Sequence, residues 1–571
     1  MKKKFFFLIF SISSLLLNAQ TPIFQWAKRI GGASNDVGRS IVLDKYGNVY
    51  TTGIFSGTVD FDPGVGVYSL TASNAMFISK LDPAGNFVWA KNMGGGSGTY
   101  SIALDTSGNI YTTGYFQGTV DFNPNVGTFY LTSTVTFRTD VFISKLDVFG
   151  NFVWAKKMGG GALDDVGRSI STDISGNVYT TGCFAGIVDF DPGVGVYNLV
   201  SDSSTLNVFI SKLDSSGNFV WARSIGNTLD DRAYSIKVDA SGNVYTTGYY
   251  QGTVDFDPSA GVFDLIPIGS YDIFILKLNP SGNFVWAKSI GGNAPGDYGY
   301  SVALDRVGNV YTSGAFNGTG DFDPGAGTFS LTSVGAQDTF LSKLDSLGNF
   351  VWAKRIGGSG VTSAACAIAL DTLGNVYTTG YFDRTAVDFD PGVGIYTLSA
   401  SGGSGSFNTF LLKLDSAGNF VWAENMTGPF NNGNSLIVDA IGNIYTTGVF
   451  QSTNDFDPGT GIFNLTSSGA EDAFIHKISQ GIPTSMLSQN FDGKNISIYP
   501  NPSKGSITIS AAEQIKNGSL EIYNSIGELV FSQKIINQQN LIDLKDQANG
   551  LYFVKMISNG EMIGMQKVVK E

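Results

Sequence analysis

Histidine is almost missing from this chain of 571 residues: His476 is the only one. A metal site built on several histidines is thereby excluded, and a Ser-His-Asp or Cys-His arrangement has a single position to work from. Cysteine is nearly as scarce, with Cys183 and Cys366 the whole complement. They fall in distant segments, beyond disulfide reach, and read as two buried thiols. Charged side chains make up only 15% of the chain, and the net charge is −13. Between Gln20 and Ser479, 24 basic residues stand against 40 acidic ones, a net of −16. That sign disfavours nucleic acid and anionic membranes and is compatible with cations or basic partners. No phosphate-cradling glycine loop stands between a strand and a helix. Beyond the N-terminus no apolar run reaches the roughly 20 residues a membrane span needs, so no transmembrane segment is expected in the mature chain.

What is present begins with an export signal. Lys2, Lys3 and Lys4 precede an apolar run over residues 5–17, and Leu17-Asn18-Ala19 offers a cleavage site before Gln20. Residues 1–19 therefore read as a signal peptide. The rest is rich in glycine, with 73 residues, and 13% aromatic. That composition makes short strands joined by tight turns and is too aromatic for disorder.

One unit recurs seven times. Gly-Asn-Val/Ile-Tyr-Thr begins at Gly47, Gly108, Gly176, Gly242, Gly308, Gly374 and Gly442, at spacings of 61 to 68 residues. Phe-x-Trp-Ala accounts for all seven tryptophans, Trp26, Trp89, Trp154, Trp221, Trp286, Trp352 and Trp422. Each sits mid-strand in an apolar run, which predicts a packing role rather than a sugar-binding one. Each unit offers four strand-like runs, A to D, predicted in the second repeat over 101–104, 109–114, 141–146 and 151–156. Strands A to B and C to D share one turn, Asp-x-x-Gly-Asn, in thirteen copies, one with Asn279 for the Asp. The Asp pins the turn, and the Gly takes the left-handed conformation that closes a hairpin.

Tandem four-stranded units predict an all-β, seven-bladed β-propeller over residues 20–480. The first repeat is preceded by a lone D strand at Phe24-Gln25-Trp26-Ala27-Lys28, and the seventh lacks one after 473–478. If the N-terminal strand completes the last blade, the ring closes and no edge is exposed. The unit resembles the bacterial propeller repeats called SBBP repeats. The resemblance rests on Gly31-Gly32 and Gly357-Gly358 before strand A, on Gly-Asn-Val-Tyr-Thr-Thr-Gly in strand B and on Phe-Ile-Ser-Lys-Leu-Asp in strand C. It implies a propeller and no particular activity.

Residues 481–494 read as a linker, and residues 495–571 hold short strands without the repeat, over 507–510, 520–523, 529–533 and 551–556, as in a small β-sandwich. This segment carries Tyr499-Pro500-Asn501-Pro502, Gly505, Glu521-Ile522-Tyr523-Asn524, Gly527, Asn549-Gly550-Leu551-Tyr552 and a basic finish from Lys567 to Lys570. It resembles the type A C-terminal sorting domain of the type IX secretion system of Bacteroidetes. The resemblance implies recognition by the type IX machinery and a secreted or outer-surface location.

Catalytic residues are not evident. His476 replaces a strand-C serine, and most acids recur in every repeat, so an asymmetric pair for a carbohydrate-active hydrolase is hard to single out. The main site candidate is the loop between strands B and C. It carries Asp-Phe-Asp-Pro-Gly or a variant at Asp60 and Asp62, Asp189 and Asp191, Asp255 and Asp257, Asp321 and Asp323, Asp388 and Asp390, and Asp455 and Asp457. Asp121 with Asn123 is a neutralised copy. Paired carboxylates before a turn can collect oxygen ligands for Ca²⁺, which would make a calcium-stabilised surface protein. Asp-pinned turns with a docked Phe are the favoured reading. The B–C and D–A loops share one face, to which Asp36, Asp164, Asp165, Asp230, Asp231 and Asp297 add acids. That acidic face is the predicted working surface for a protein or glycan partner. The expected function is an exported binding or scaffold propeller.

Overall fold

The computed structural model describes residues 22–570, apart from 161–162, 203, 360–361, 384–385, 402–404, 481–495, 512–517, 525–528, 536–538, 546, 548–549 and 559–560. The expected signal peptide and linker, with Gly527 and Asn549, lie outside the described residues. Two compact units emerge, Pro22–Ser479 and a C-terminal one from Gln480 onward. Both are built of antiparallel strands, with no helix among the described residues.

The Asp-x-x-Gly-Asn turn sets the local structure. In the first copy, Asp44 Oδ1 accepts the backbone N–H of Tyr46 at 2.9 Å and of Asn48 at 3.0 Å, and Oδ2 accepts Asn48 Nδ2 at 2.7 Å. The glycine holds φ between +74° and +87° in all thirteen copies, a region in which a Cβ costs about 1–2 kcal/mol. These turns fold the chain into successive four-stranded groups. The second comprises Ser97–Leu104, Ile110–Gln117, Thr139–Leu146 and Phe152–Gly160. Six groups use four strands from one repeat. The seventh has Phe430–Val438, Ile444–Gln451 and Asp472–Gln480, and its fourth strand is Pro22–Gly32. Across that junction Gln25 Nε2 donates to Ser479 Oγ at 2.8 Å, and Arg29 pairs with buried Asp472 at 3.0 Å.

The A strands, Val37–Leu43, Ser97–Leu104, Val166–Thr172, Arg232–Val238, Tyr298–Leu304, Ser363–Leu370 and Phe430–Val438, each pack on the next, and the last packs on the first. Serine hydroxyls join them: Ser40 Oγ accepts Ile102 N–H at 3.4 Å, and Ser101, Ser169, Ser235 and Ser301 repeat the bond. Ser435 accepts Ile41 N–H at 3.4 Å, which returns the series to its start. Ala367 stands where the remaining serine would be.

The apolar clusters lie between neighbouring groups. One joins Tyr445, Ala473 and Ile475 of the seventh repeat to Ile41, Val49 and Phe77 of the first. The tryptophans belong to these seams. Trp221, Trp352 and Trp422 are buried and the other four half-buried. Each meets the tyrosine of its own group's strand B, as Trp89 meets Tyr50 at 6.1 Å. Trp221 Nε1 also donates to the Pro280 carbonyl in the next repeat at 3.1 Å.

In the C-terminal unit, Ile496–Tyr499, Ser506–Ala511 and Gln539–Asp543 form one sheet, and Leu529–Ile535, Gly518–Asn524, Gly550–Ser558 and Glu561–Lys570 the other. Ile507, Ile509, Leu520, Ile522, Ile542 and Val554 are in its core. Three of these strands, Ile496–Tyr499, Gln539–Asp543 and Glu561–Lys570, go beyond the four expected from sequence.

Candidate functional site

In the B–C loops both aspartates of each pair work on the backbone. Asp60 Oδ1 accepts the N–H groups of Asp62 at 3.0 Å and Tyr68 at 2.8 Å, and Asp62 Oδ1 accepts Gly64 N–H at 2.8 Å. Phe61 is fully buried against Phe55 and Phe77, ring centroids 5.3 and 5.2 Å away. The first aspartates of the other pairs, Asp189, Asp255, Asp321, Asp388 and Asp455, repeat the Asp60 bonding. The second aspartates, Asp191, Asp257, Asp323, Asp390 and Asp457, repeat that of Asp62, each accepting the N–H two residues ahead at 2.7 to 2.9 Å.

Each of these turns is thus pinned by its own aspartates, with the Phe docked beside them. The carboxylates of Asp62, Asp191, Asp257, Asp323, Asp390 and Asp457 are each engaged with their own turn, as are those of the aspartates two residues before them. No third acidic, histidine or cysteine side chain joins any pair: among the described residues no three His, Cys, Asp or Glu side chains gather as a metal-binding group. Ca²⁺ takes six to eight oxygens, so a pair would need backbone carbonyls or water to complete a shell. Fully exposed valines, Val65, Val126, Val194 and Val393, occupy the loop tips.

The D–A loops bring a correction to the expected acidic face. Asp36, Asp165, Asp231 and Asp297 are fully buried rather than part of an acidic surface. Three of the carboxylates bridge two backbone stretches: Asp36 accepts Gly32 N–H at 2.7 Å and Ser56 N–H at 3.0 Å, Asp231 accepts Asn227 N–H at 3.0 Å and Gln251 N–H at 2.8 Å, and Asp297 accepts Gly292 and Asn317 N–H, both at 3.0 Å, while Asp165 accepts Ala185 N–H at 3.1 Å. Burial pushes their carboxyls up, Asp36 to about 6, Asp231 and Asp297 to about 7 and Asp165 to about 8. Asp164 and Asp230 face Arg138 and Arg232 at 4.0 and 3.3 Å. Another buried series, Asp140, Asp272, Asp338 and Asp472, begins strand C. These side chains explain the glycine pairs: a Cβ on Gly31 would lie 2.1 Å from the Asp472 carboxyl carbon.

His476 is fully buried, its ring 5.8 Å from that of Phe24 and 6.4 Å from that of Phe456. Burial lowers it to about 3, so it is a neutral packing residue at neutral pH. Cys183 is buried as expected, whereas Cys366 is only half-buried; burial still pushes its thiol to about 12.

Cys366 belongs to a feature that sequence reasoning missed. Every A strand carries one β-bulge, after Gly38, Thr99, Gly167, Ala233, Gly299, Ala365 and Gly433. The extra residue is Arg39, Tyr100, Arg168, Tyr234, Tyr300, Cys366 or Asn434, and all seven line one cavity of about 230 Å³. A bulge re-aims a side chain, and here seven bulges aim at one space. The available signal was variation: this position changes between repeats beside a serine that recurs in six of them. The cavity continues into a second space of about 390 Å³, walled by the A strands and containing Lys237. Arg39, Arg168 and Lys237 are the charged side chains on these walls, with no carboxylate among the described lining residues.

In the C-terminal unit, Tyr499-Pro500-Asn501-Pro502 lies beside the final strand, and Asn501 Oδ1 accepts Val569 N–H at 2.9 Å. Gly505 holds φ +113° and its carbonyl accepts Leu544 N–H at 2.6 Å. Gly550 and Lys567 pair through their backbones, as Gly550 with Lys570 and Lys567 with Phe553.

Comparison with known proteins agrees with both units. Residues 497–571 match the secretion system C-terminal sorting domain. Residues 25–53, 285–322 and 351–381 match the β-propeller repeat family SBBP. An uncharacterised WD repeat-containing protein of Acanthamoeba polyphaga mimivirus is 25% identical over 481 residues, 70% of this chain and 34% of that protein, so the chain spans about a third of its length. Among solved structures, Sqt1 from Chaetomium thermophilum aligns over 81% of this chain and all of its own at 10% identity and TM-score 0.36. PorZ, a surface component of the type IX secretion system of Porphyromonas gingivalis, aligns over 95% of this chain and 99% of its own at 11% identity and TM-score 0.17. The sorting domain directs export by the type IX system to the cell surface or the medium, and no helix among the described residues is long and apolar enough to cross a membrane. The chain carries SBBP-type β-propeller repeats followed by a type IX secretion sorting domain.

Proposed function

We propose that this chain is an exported, non-catalytic binding protein: a seven-bladed propeller, closed by its N-terminal strand, that holds its ligand at the central channel. The observation that carries this reading is the contrast within the A strands. Their scaffold residues repeat around the ring, while the seven bulge residues that share one cavity include two Arg, three Tyr, a Cys and an Asn. Variable side chains on a uniform scaffold are how a repeat ring acquires a distinguished site. The pinned and buried acids of the B–C and D–A loops favour a structural role for those residues. Against a hydrolase stands the lack of any carboxylate on the described channel wall, where glycoside hydrolysis needs two.

The test is a thermal-shift screen of the purified chain against sugars, sugar acids and peptides. A ligand that prefers the native state raises the melting temperature by mass action. That rise is expected to vanish in Tyr300→Ala. Persistence in that variant, with loss on Val65→Ser and Val194→Ser, would move binding to the loop tips.

A further inference from the structure

We infer that the channel takes a small anionic ligand, an oxyanion carried on a ring, with Arg39 and Arg168 holding the oxyanion and the bulge tyrosines lying against the ring. The inference rests on the channel-binding reading and adds its chemistry. Charge is the first argument. In repeats with a net of −16 between Gln20 and Ser479, the described channel wall carries Arg39, Arg168 and Lys237, whose ammonium burial pushes down, and no acid. Such segregation, inside low-dielectric walls, focuses a positive potential into the channel.

The arrangement of the arginines is the second. Arg168 lies over the Tyr100 ring at 4.4 Å, and Arg39 lies over the same ring at 5.6 Å. Two like charges share one aromatic partner. Stacking uses the guanidinium face and leaves its N–H edge to bond. The Nε atoms of Arg39 and Arg168 are buried without a hydrogen-bond partner. A buried donor left unpaired is costly, and guanidinium groups bind two-oxygen anions through paired N–H bonds.

The tyrosines are the third. Tyr234 packs edge-on to Tyr300 at 5.4 Å, and Tyr300 stacks on Tyr298 at 5.6 Å and 8°. They form a fixed aromatic wall with hydroxyls that can meet sugar hydroxyls. At about 230 Å³ the cavity falls below the roughly 300–1,000 Å³ of drug-sized sites, which fits one ring or the end of a longer chain.

The experiment is calorimetric titration of the purified chain with galacturonate, galactose 1-phosphate, inorganic phosphate and neutral galactose, repeated with Arg39→Gln and Arg168→Gln. Unchanged melting temperatures show that the variants fold. At least one sugar acid is expected to bind, with galactose weaker by about tenfold or more, and either substitution is expected to cost about tenfold. Carboxylate and phosphate arms separate the two kinds of anion, and phosphate alone reports what the ring contributes. Absence of binding by every anion at millimolar concentration, equal binding of galactose, or indifference to both arginine substitutions would overturn the inference. A screened ligand that binds independently of both arginines yet is lost in Tyr300→Ala would remove the anion assignment and leave channel binding standing.

Discussion

Lys477 in the seventh repeat donates from Nζ to the Pro83 carbonyl in the first at 3.0 Å. Lys145, Lys277 and Lys343 make the same bond to the repeat that follows them in sequence. The seventh repeat thus treats the first as its successor. Arg29 and Asp472 mark the same junction. Arg29→Ala leaves a fully buried carboxylate short of its cation, and a loss of about 2 kcal/mol is expected. Adding Asp472→Asn should recover part of it. Thermal unfolding of both variants, with proteolysis near the N-terminus, checks this; an unchanged melting temperature in Arg29→Ala would show that the junction adds nothing to stability.

Stability should fall as pH rises toward 8. Asp36, Asp165, Asp231 and Asp297 titrate near 6 to 8 when folded, against an ordinary value of 3.8. The folded state therefore holds more protons than the unfolded one, and the stability of these groups is fully present below about pH 4 and lost through pH 6–8. His476 has the opposite sign: lowered from 6.5 to about 3, its contribution is present above pH 6.5 and lost as pH falls toward 3. Melting curves from pH 4 to 9 should show a shallower alkaline decline in Asp165→Asn and a shallower acid decline in His476→Leu.

The aspartate pairs of the B–C loops are expected to pin turns without a cation. Calcium and chelator should then give the same melting temperature, while Asp60→Ala, which frees two backbone donors, should cost about 1–2 kcal/mol. A rise with calcium would assign the loops to cation binding.

Ala367→Ser is expected to stabilise. It supplies the hydroxyl that six other repeats place between neighbouring A strands, worth about 0.5–1.5 kcal/mol when well aligned. A lower melting temperature would show that the site is too tight for the oxygen.

Residues 495–571 should carry a passenger. Fused behind a signal peptide and a fluorescent reporter in a type IX-competent host, they should bring the reporter to the surface or medium, and their removal from the native chain should retain it in the periplasm. Fractionation and immunoblotting decide.

The repeat was legible because each signature residue acts locally. Asp44 and Gly47 make their turn with neighbours within a few residues, so spacing alone identifies the hairpin. The complementary ends, with Trp26 before the first repeat and none after the seventh, were readable for the same reason. What was not legible depends on depth. Asp36 and Asp231 look like surface charges in a polar loop, and only the folded backbone shows each carboxylate caught between two strand ends. Arg39, Tyr100 and Arg168 were missed because a bulge leaves no mark of its own in sequence, and residues in separate repeats meet only after the strands converge.

The strand Pro22–Gly32 has a consequence for the timing of assembly. Its Gln25 finds a partner 454 residues away in Ser479, so the first part of the propeller to leave the ribosome is among the last to be housed. The intervening repeats can each begin from local hairpins, but the final joint waits on a chain-length search whose entropic cost no local turn reduces. Until it is made, the seventh sheet keeps an open edge able to recruit another molecule. The pairing of Pro22–Gly32 with Asp472–Gln480 can therefore form only once the chain has been made as far as the seventh repeat.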